Sequence, residues 1–232
     1  MCHFASLVLT KDSVFWSKKT DSHEDIITEF DLHEGSNPKS PNILRVELLP
    51  RYGDPFSDPA TWAYKVDQDL TPKWHDKKAD EKRARAALLD LVAARVFIRK
   101  SDLVFDAGEI VFVKDSSRVE ALGSSSVVAR GSSSVVARGY SSVEAMDSSR
   151  VEALGSSRVV AWGSSSVVAM DSSRVEALDS SRVETRDSSC VVKADDHATV
   201  RHYSDTAPCK PTGPHAVVID SRGGRLKCVV GK

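Results

Sequence analysis

The sequence predicts an α+β N-terminal domain (1–98), a two-sided β-solenoid of ~16 residues per coil (99–202), and a linker with a C-terminal β-hairpin (203–232). Three observations predict this. An eight-residue repeat fills the middle of the 232-residue chain and fades at both ends. Its composition suits strands and corners rather than helix. The spacing of glutamates at one repeat position sets the size of the coil.

The clean copies begin at Asp115 and read DSSRVEAL, GSSSVVAR, GSSSVVAR, GYSSVEAM, DSSRVEAL, GSSRVVAW, GSSSVVAM, DSSRVEAL, DSSRVETR and DSSCVVKA. A helix would carry the Val positions around its axis and be broken by Ser-Ser beside Gly or Asp. In an extended segment alternate side chains share a face. The second Ser, the Val and the Ala then point inward. Position four, position six and position eight point outward. Gly or Asp at position one supplies the corner. Weaker copies flank the array, with Leu103, Val111 and Thr199 expected at the inward Val position.

Position six reads Glu120, Val128, Val136, Glu144, Glu152, Val160, Val168, Glu176, Glu184, Val192. One octad per coil would stack Glu144 on Glu152 at strand spacing, and three would stack Glu120 on Glu144. Like charges directly opposite destabilise a sheet. Two octads per coil place every Glu between aliphatic neighbours. Thirteen octads then give six to seven coils, a rod about 30 Å long. Arg118, Arg150, Arg174 and Arg182 accompany a Glu in their own octads, which predicts an ion-pair ladder.

In residues 1–98, His3–Thr10 and Ser13–Trp16 read as paired strands around Lys11-Asp12. Ser22–Leu32 reads as a helix capped by Ser22. Ile43–Leu49 and Thr61–Val66 read as strands joined by the turn-rich Pro50–Pro59. Asp76–Arg95 reads as a helix with Ala84, Leu88, Leu91 and Val92 on its buried stripe and Lys, Arg and Asp opposite. After His202, Pro208, Pro211 and Pro214 mark a linker. Ala216–Asp220 and Leu226–Val230 then read as a hairpin around residues 221–224.

Net charge is -1, and the clean octads hold nine basic against ten acidic residues. This argues against a coat for nucleic acid or a strongly acidic imitation of it. The run Phe4–Thr10 is too short for a signal core, and no segment approaches a membrane span, so a cytoplasmic protein is expected. Cys2, Cys190, Cys209 and Cys228 form no CxxC pair and are expected as free thiols. No catalytic residue, metal site or cofactor is expected. His23, Glu24 and Asp25 fit a helix cap, and Asp67 and Asp69 a strand end. His3, His33 and His75 lack ligand spacing, and the repeat serines lack a partner histidine.

The octad ARGYSSVE at residues 137–144 resembles that of bacterial ice-nucleation proteins, although the outward Thr-x-Thr rows are replaced by Ser-x-Val-Glu. In style the array is also similar to pentapeptide-repeat proteins, some of which bind topoisomerases as DNA mimics. CHFASLVLTKDSVFWSKKTDSHEDII followed by TWAYKVDQD resembles an uncharacterised domain of bacterial and phage proteins that carry octad repeats. These resemblances imply a non-enzymatic interaction or scaffold protein, in its most specific form a phage-encoded inhibitor of a host nucleic-acid enzyme. The alternatives are an enzyme or nucleic-acid-binding activity in the N-terminal domain with the solenoid as spacer, or an ice- or surface-binding rod. A protein partner is expected, nucleic-acid contact is left open, and the C-terminal end is available for a homodimer. The expected contact residues are the basic helix face Lys77, Lys78, Lys82, Arg83 and Arg85, the outward Arg150, Arg158 and Arg174, and a stripe of large apolar residues. That stripe comprises Met146, Leu154, Trp162, Met170 and Leu178, together with Leu122.

Overall fold

The computed structural model describes residues 5–35, 40–187, 190–203, 211–221 and 227–231. His3, Cys2, Cys209, Pro208 and most of the 221–224 turn lie outside them. The chain divides into two units, Met1–Val96 and Phe97–Lys232.

In the first unit, β1 (Ser6–Leu9), β2 (Val14–Phe15), β3 (Leu44–Leu49) and β4 (Ala63–Val66) form an antiparallel sheet of order β2-β1-β3-β4. Every residue of β1 is buried, because both faces are covered. Leu7 and Leu9 join Leu44, Val46, Leu48 and Trp62 against Ala84, Leu88 and Leu91 of α2 (Lys77–Arg95). Val8 and Ile43 pack on the other side with Ile26 of α1 (His23–Glu29). Ser22 caps α1, its Oγ accepting from Asp25 N, and Asp76 caps α2 by accepting from Ala79 N at 2.9 Å. The strand expected from Thr61 begins at Ala63, because Pro59–Thr61 forms a 3-10 turn capped by Asp58.

The Lys, Arg and Asp residues of α2 are not all on its solvated face: Asp80 and Arg95 extend the buried stripe of Ala84, Leu88 and Leu91 at its two ends. Asp80 accepts from His75 Nδ1 (2.8 Å), Asp76 N (3.0 Å) and Arg83 Nη1 (3.1 Å), tying down the helix start. Arg95 Nη2 donates to the carbonyls of Ser17 and Thr20, and Nη1 to Asp21. Each charge is buried with an opposite charge and further hydrogen bonds at hand, the condition under which burial is tolerated.

The second unit is a parallel β-solenoid of about seven turns. One sheet holds β6 (Leu103–Phe105), β8 (Arg118–Ala121), β10 (Ser134–Ala137), β12 (Arg150–Ala153), β14 (Ser166–Ala169), β16 (Arg182–Thr185), β18 (Thr199–His202), β19 (Val217–Asp220) and β20 (Lys227–Val230). The other holds β5 (Val96–Ile98), β7 (Ile110–Lys114), β9 (Ser126–Ala129), β11 (Ser142–Ala145), β13 (Arg158–Ala161), β15 (Arg174–Ala177) and β17 (Cys190–Ala194). Each octad pairs with the next but one: Ser134 faces Arg150 and Ser142 faces Arg158, a coil of sixteen residues. Among the described residues, the inward valines, alanines and serines of the clean octads are buried. Position six alternates as the charge argument requires, with Val136 between Glu120 and Glu152, and Glu144 between Val128 and Val160.

Position one of every clean octad has positive φ, from +53° at Asp179 to +68° at Gly139, so Gly and Asp occupy the residue that turns the corner. The two types cooperate across coils. Asp147, Asp171 and Asp179 accept through Oδ2 from the backbone N–H of Gly131, Gly155 and Gly163, one coil earlier, at 2.8–2.9 Å. Inward serines close the same corners: Ser133, Ser149 and Ser173 donate to the carbonyls of Arg130, Met146 and Met170.

The last octads depart from the expected frame. A register shift in β17 pairs Glu176 with Lys193 and Ala177 with Ala194, so that Val192 is the extra residue. Strict alternation would have turned Lys193 inward. The bulge keeps it outside and places Ala194 in the core. The following frame moves by one, and Val200, not Thr199, becomes the inward residue opposite Val183. β19 then adds a parallel rung on β18, burying Ala216 and Val218, and β20 pairs with it antiparallel. The C-terminal strand pair thus continues the larger sheet. Cys228 in β20 is a free, exposed thiol.

Candidate partner-binding surface

Along each rung, positions four, six and eight project from one outer face. The expected Arg–Glu ladder within octads is not formed. Two glutamates pair instead with a position-eight arginine: Arg138 Nε meets Glu120 Oε1 at 3.1 Å and Arg186 meets Glu184 at 2.9 Å. The guanidinia at position four, Arg118, Arg150, Arg158, Arg174 and Arg182, are exposed and have no ion-pair partner among the described residues. On the larger sheet they alternate with Ser134 and Ser166. On the smaller sheet Arg158 and Arg174 are direct Cα partners.

The apolar residues at position eight do not make one stripe. A sixteen-residue coil sorts them into two columns on different sheets. Met146, Trp162 and Leu178 follow β11, β13 and β15, whereas Leu122, Leu154 and Met170 follow β8, β12 and β14. Most pack into the corners and are half-buried, and Leu178 is only 7% exposed. Trp162 is the exposed member, at 40%, with Met146 and Leu178 in the adjoining coils.

On α2 the expected basic face is smaller than five residues. Arg83 holds the helix to the β1–β2 turn through the carbonyls of Thr10 (2.8 Å) and Ser13 (2.9 Å). Arg85 is bonded to Glu81 and to the Trp62 carbonyl. Lys77, Lys78 and Lys82 remain exposed.

The first unit also contains an open polar cavity of ≈ 520 Å³, lined by Ser6, Asp21, Ser22, His23, Glu24, Arg45, Glu47 and Asp67. Pairing of β1 with β3 and folding of α1 across them bring these distant residues together, which no local spacing signals. His23 Nε2 bonds the Val46 carbonyl at 3.0 Å, and its Nδ1 stands 3.6 Å from Asp67. Arg45 bonds Glu24 and Glu34, and Lys65 bonds Glu47 and Asp67. Ser22 Oγ serves the helix cap. The cavity's charges thus engage one another. Among the described residues no group of three His, Cys, Asp or Glu could hold a metal ion, and no helix is long and apolar enough to cross a membrane.

Compared with known proteins, the chain matches no family, no curated protein and no solved structure.

Proposed function

We propose that this chain is a non-enzymatic interaction protein whose solenoid presents a partner-binding face. The observation that carries this reading is the exposed Trp162 between Met146 and Leu178, on the face that also bears the unpaired Arg158 and Arg174. Exposed Trp beside Arg is the composition of an interface centre. Met146 and Leu178 pack into the corners, whereas Trp162 and the two arginines project beyond what the coil needs for its core. Outward carboxylates are separated by valines, so there is no continuous anionic row with which to imitate duplex DNA. The same rows present Ser, Arg, Glu and Val rather than repeated Thr, which disfavours ice binding. A phage or bacterial setting, suggested by the octads and the N-terminal segment, fits a solenoid that blocks a host protein.

The test uses the full chain as bait. A specific partner should be retained by the wild type and by Lys77→Glu/Lys78→Glu/Lys82→Glu, and lost with Trp162→Ser. Retention by Trp162→Ser together with loss in the lysine variant, or in Asp67→Asn at the His23 cavity, would move the function to the first unit.

A further inference from the structure

The smaller sheet breaks the charge rule that governs the rest of the solenoid. Each Glu at position six has no Glu beside it, yet Arg158 and Arg174 stand directly opposite in the parallel ladder. At about 4.8 Å between strands, two guanidinia repel unless an anion lies between them. Neither has an ion-pair partner among the described residues. The carboxylates of that face occupy the next row: Glu144 lies beside Val160, and Glu176 faces Lys193.

The two arginines line an open groove of ≈ 440 Å³ together with Tyr140, Ser142, Ser156 and Ser172. Tyr140 is 79% exposed, the one departure from Ser at position two of the clean octads. Its backbone N–H bonds the Gly123 carbonyl at 2.7 Å, which fixes the corner that carries the ring. The groove therefore offers two forked cations, three hydroxyls and a phenol.

We propose that this groove binds a phosphate monoester on an extended segment of the partner protein, deepening and resting on the interaction reading above. A dianion matches two fixed positive charges, whereas a carboxylate neutralises one of them. Guanidinium forks are suited to phosphate oxygens, and serine hydroxyls supply the remaining donors. Trp162 lies four residues along the rung from Arg158, about 13 Å on the strand rise. A segment with an apolar residue four positions from its phosphorylated residue would therefore engage both features at once.

The experiment titrates full-length protein, observed through its arginine Nε–H and tryptophan indole NMR signals, with three probes. These are inorganic phosphate, a hexapeptide with phosphoserine four residues before leucine, and a decathymidine oligonucleotide. Phosphate should shift the Arg158 and Arg174 signals saturably while those of Arg118, Arg150 and Arg182 stay in place. Arg158→Gln and Arg174→Gln should each weaken it roughly tenfold, while Arg118→Gln should not. The phosphopeptide should bind tighter than phosphate, with the gain removed by Trp162→Ala. Equal shifts at all five arginines, no effect of either substitution, or tighter binding of the oligonucleotide would overturn the phosphate site. If phosphate binds but Trp162→Ala leaves the peptide unaffected, the anion site stands and the apolar column loses its role. If the peptide depends on Trp162 and on neither arginine, the interaction reading stands and the phosphate site falls.

Discussion

The two units bury their cores by opposite means. The first uses large, irregular side chains, including Trp62, Leu7, Leu48, Leu88 and Leu91, drawn from segments far apart in sequence. Its polar ties are also distant, as with Arg95 reaching Asp21. The second repeats valine and alanine in register, coil upon coil. Each coil contacts only its neighbours, so specificity resides in a sixteen-residue spacing rather than in a jigsaw. The comparison teaches that a solenoid tolerates a narrow core but not a break in alternation. The bulge at Val192 shows how it avoids one.

That contrast can be broken most severely by Val151→Asp. It buries an unpaired carboxylate at the centre of the stack and should cost at least about 4 kcal/mol in denaturant unfolding. Leu88→Ala should cost about 2–5 kcal/mol through the cavity it leaves under α2. Val151→Ala should cost only about 2 kcal/mol, the smaller apolar volume of a coil. A Val151→Asp variant as stable as wild type would refute the inward assignment.

Two glycines sharpen the comparison at nearly equal backbone angles. Gly139 (φ +68°) would place a Cβ 2.9 Å from the Gly123 carbonyl oxygen, whereas Gly53 (φ +70°) has open space. Gly139→Ala should therefore cost about 2–3 kcal/mol and Gly53→Ala about 1 kcal/mol in thermal unfolding. Equal losses would show that stacking adds nothing to the corner.

The first unit carries a pH signature at Tyr64. Burial, followed by the nearby charges of Asp80 and Glu81, pushes its hydroxyl up to about 12 from 10.0. The folded chain then keeps a proton that the unfolded chain releases, so stability falls as pH rises from about 10 to 12. Allowing for partial exposure, the loss should be about 1–2 kcal/mol, and Tyr64→Phe should flatten that limb of the stability profile. The smallest effect is expected for Val160→Glu, which sets three carboxylates in one column with Glu144 and Glu176. It should cost about 0.5–1 kcal/mol and recover in high salt.

Much of the fold was legible because the solenoid encodes each contact in its period. The glutamate alternation gave the coil size, and Gly or Asp marked every corner of the clean octads. The frame change after Val192 was not legible, since a bulge follows from the cost of burying Lys193 and leaves no motif of its own. In the first unit, capping residues and periodicity revealed both helices and the strands. The burial of Arg95 was hidden, because its partners Ser17, Thr20 and Asp21 come from a distant segment; Asp80 is held by the nearby His75, Asp76 and Arg83, a set that a charge-rich helix start does not single out. The surface was legible in residue type but not in arrangement. Large apolar residues at position eight read as one stripe until the coil divided them into two columns. The direct opposition of Arg158 and Arg174 emerges only when octads two apart are set side by side. The His23 cavity had no sequence signal beyond the isolated His23-Glu24 and Asp67.

The most direct measurement is disulfide formation in two double-cysteine variants with the native cysteines replaced by serine. Ser126→Cys with Ser142→Cys joins residues sixteen apart, which face each other in the same sheet. Ser134→Cys with Ser142→Cys joins residues eight apart, which lie on opposite sheets. Under mild oxidation the first pair should close within the monomer and the second should remain reduced. Closure of the eight-residue pair with the sixteen-residue pair left open would contradict a coil of two octads.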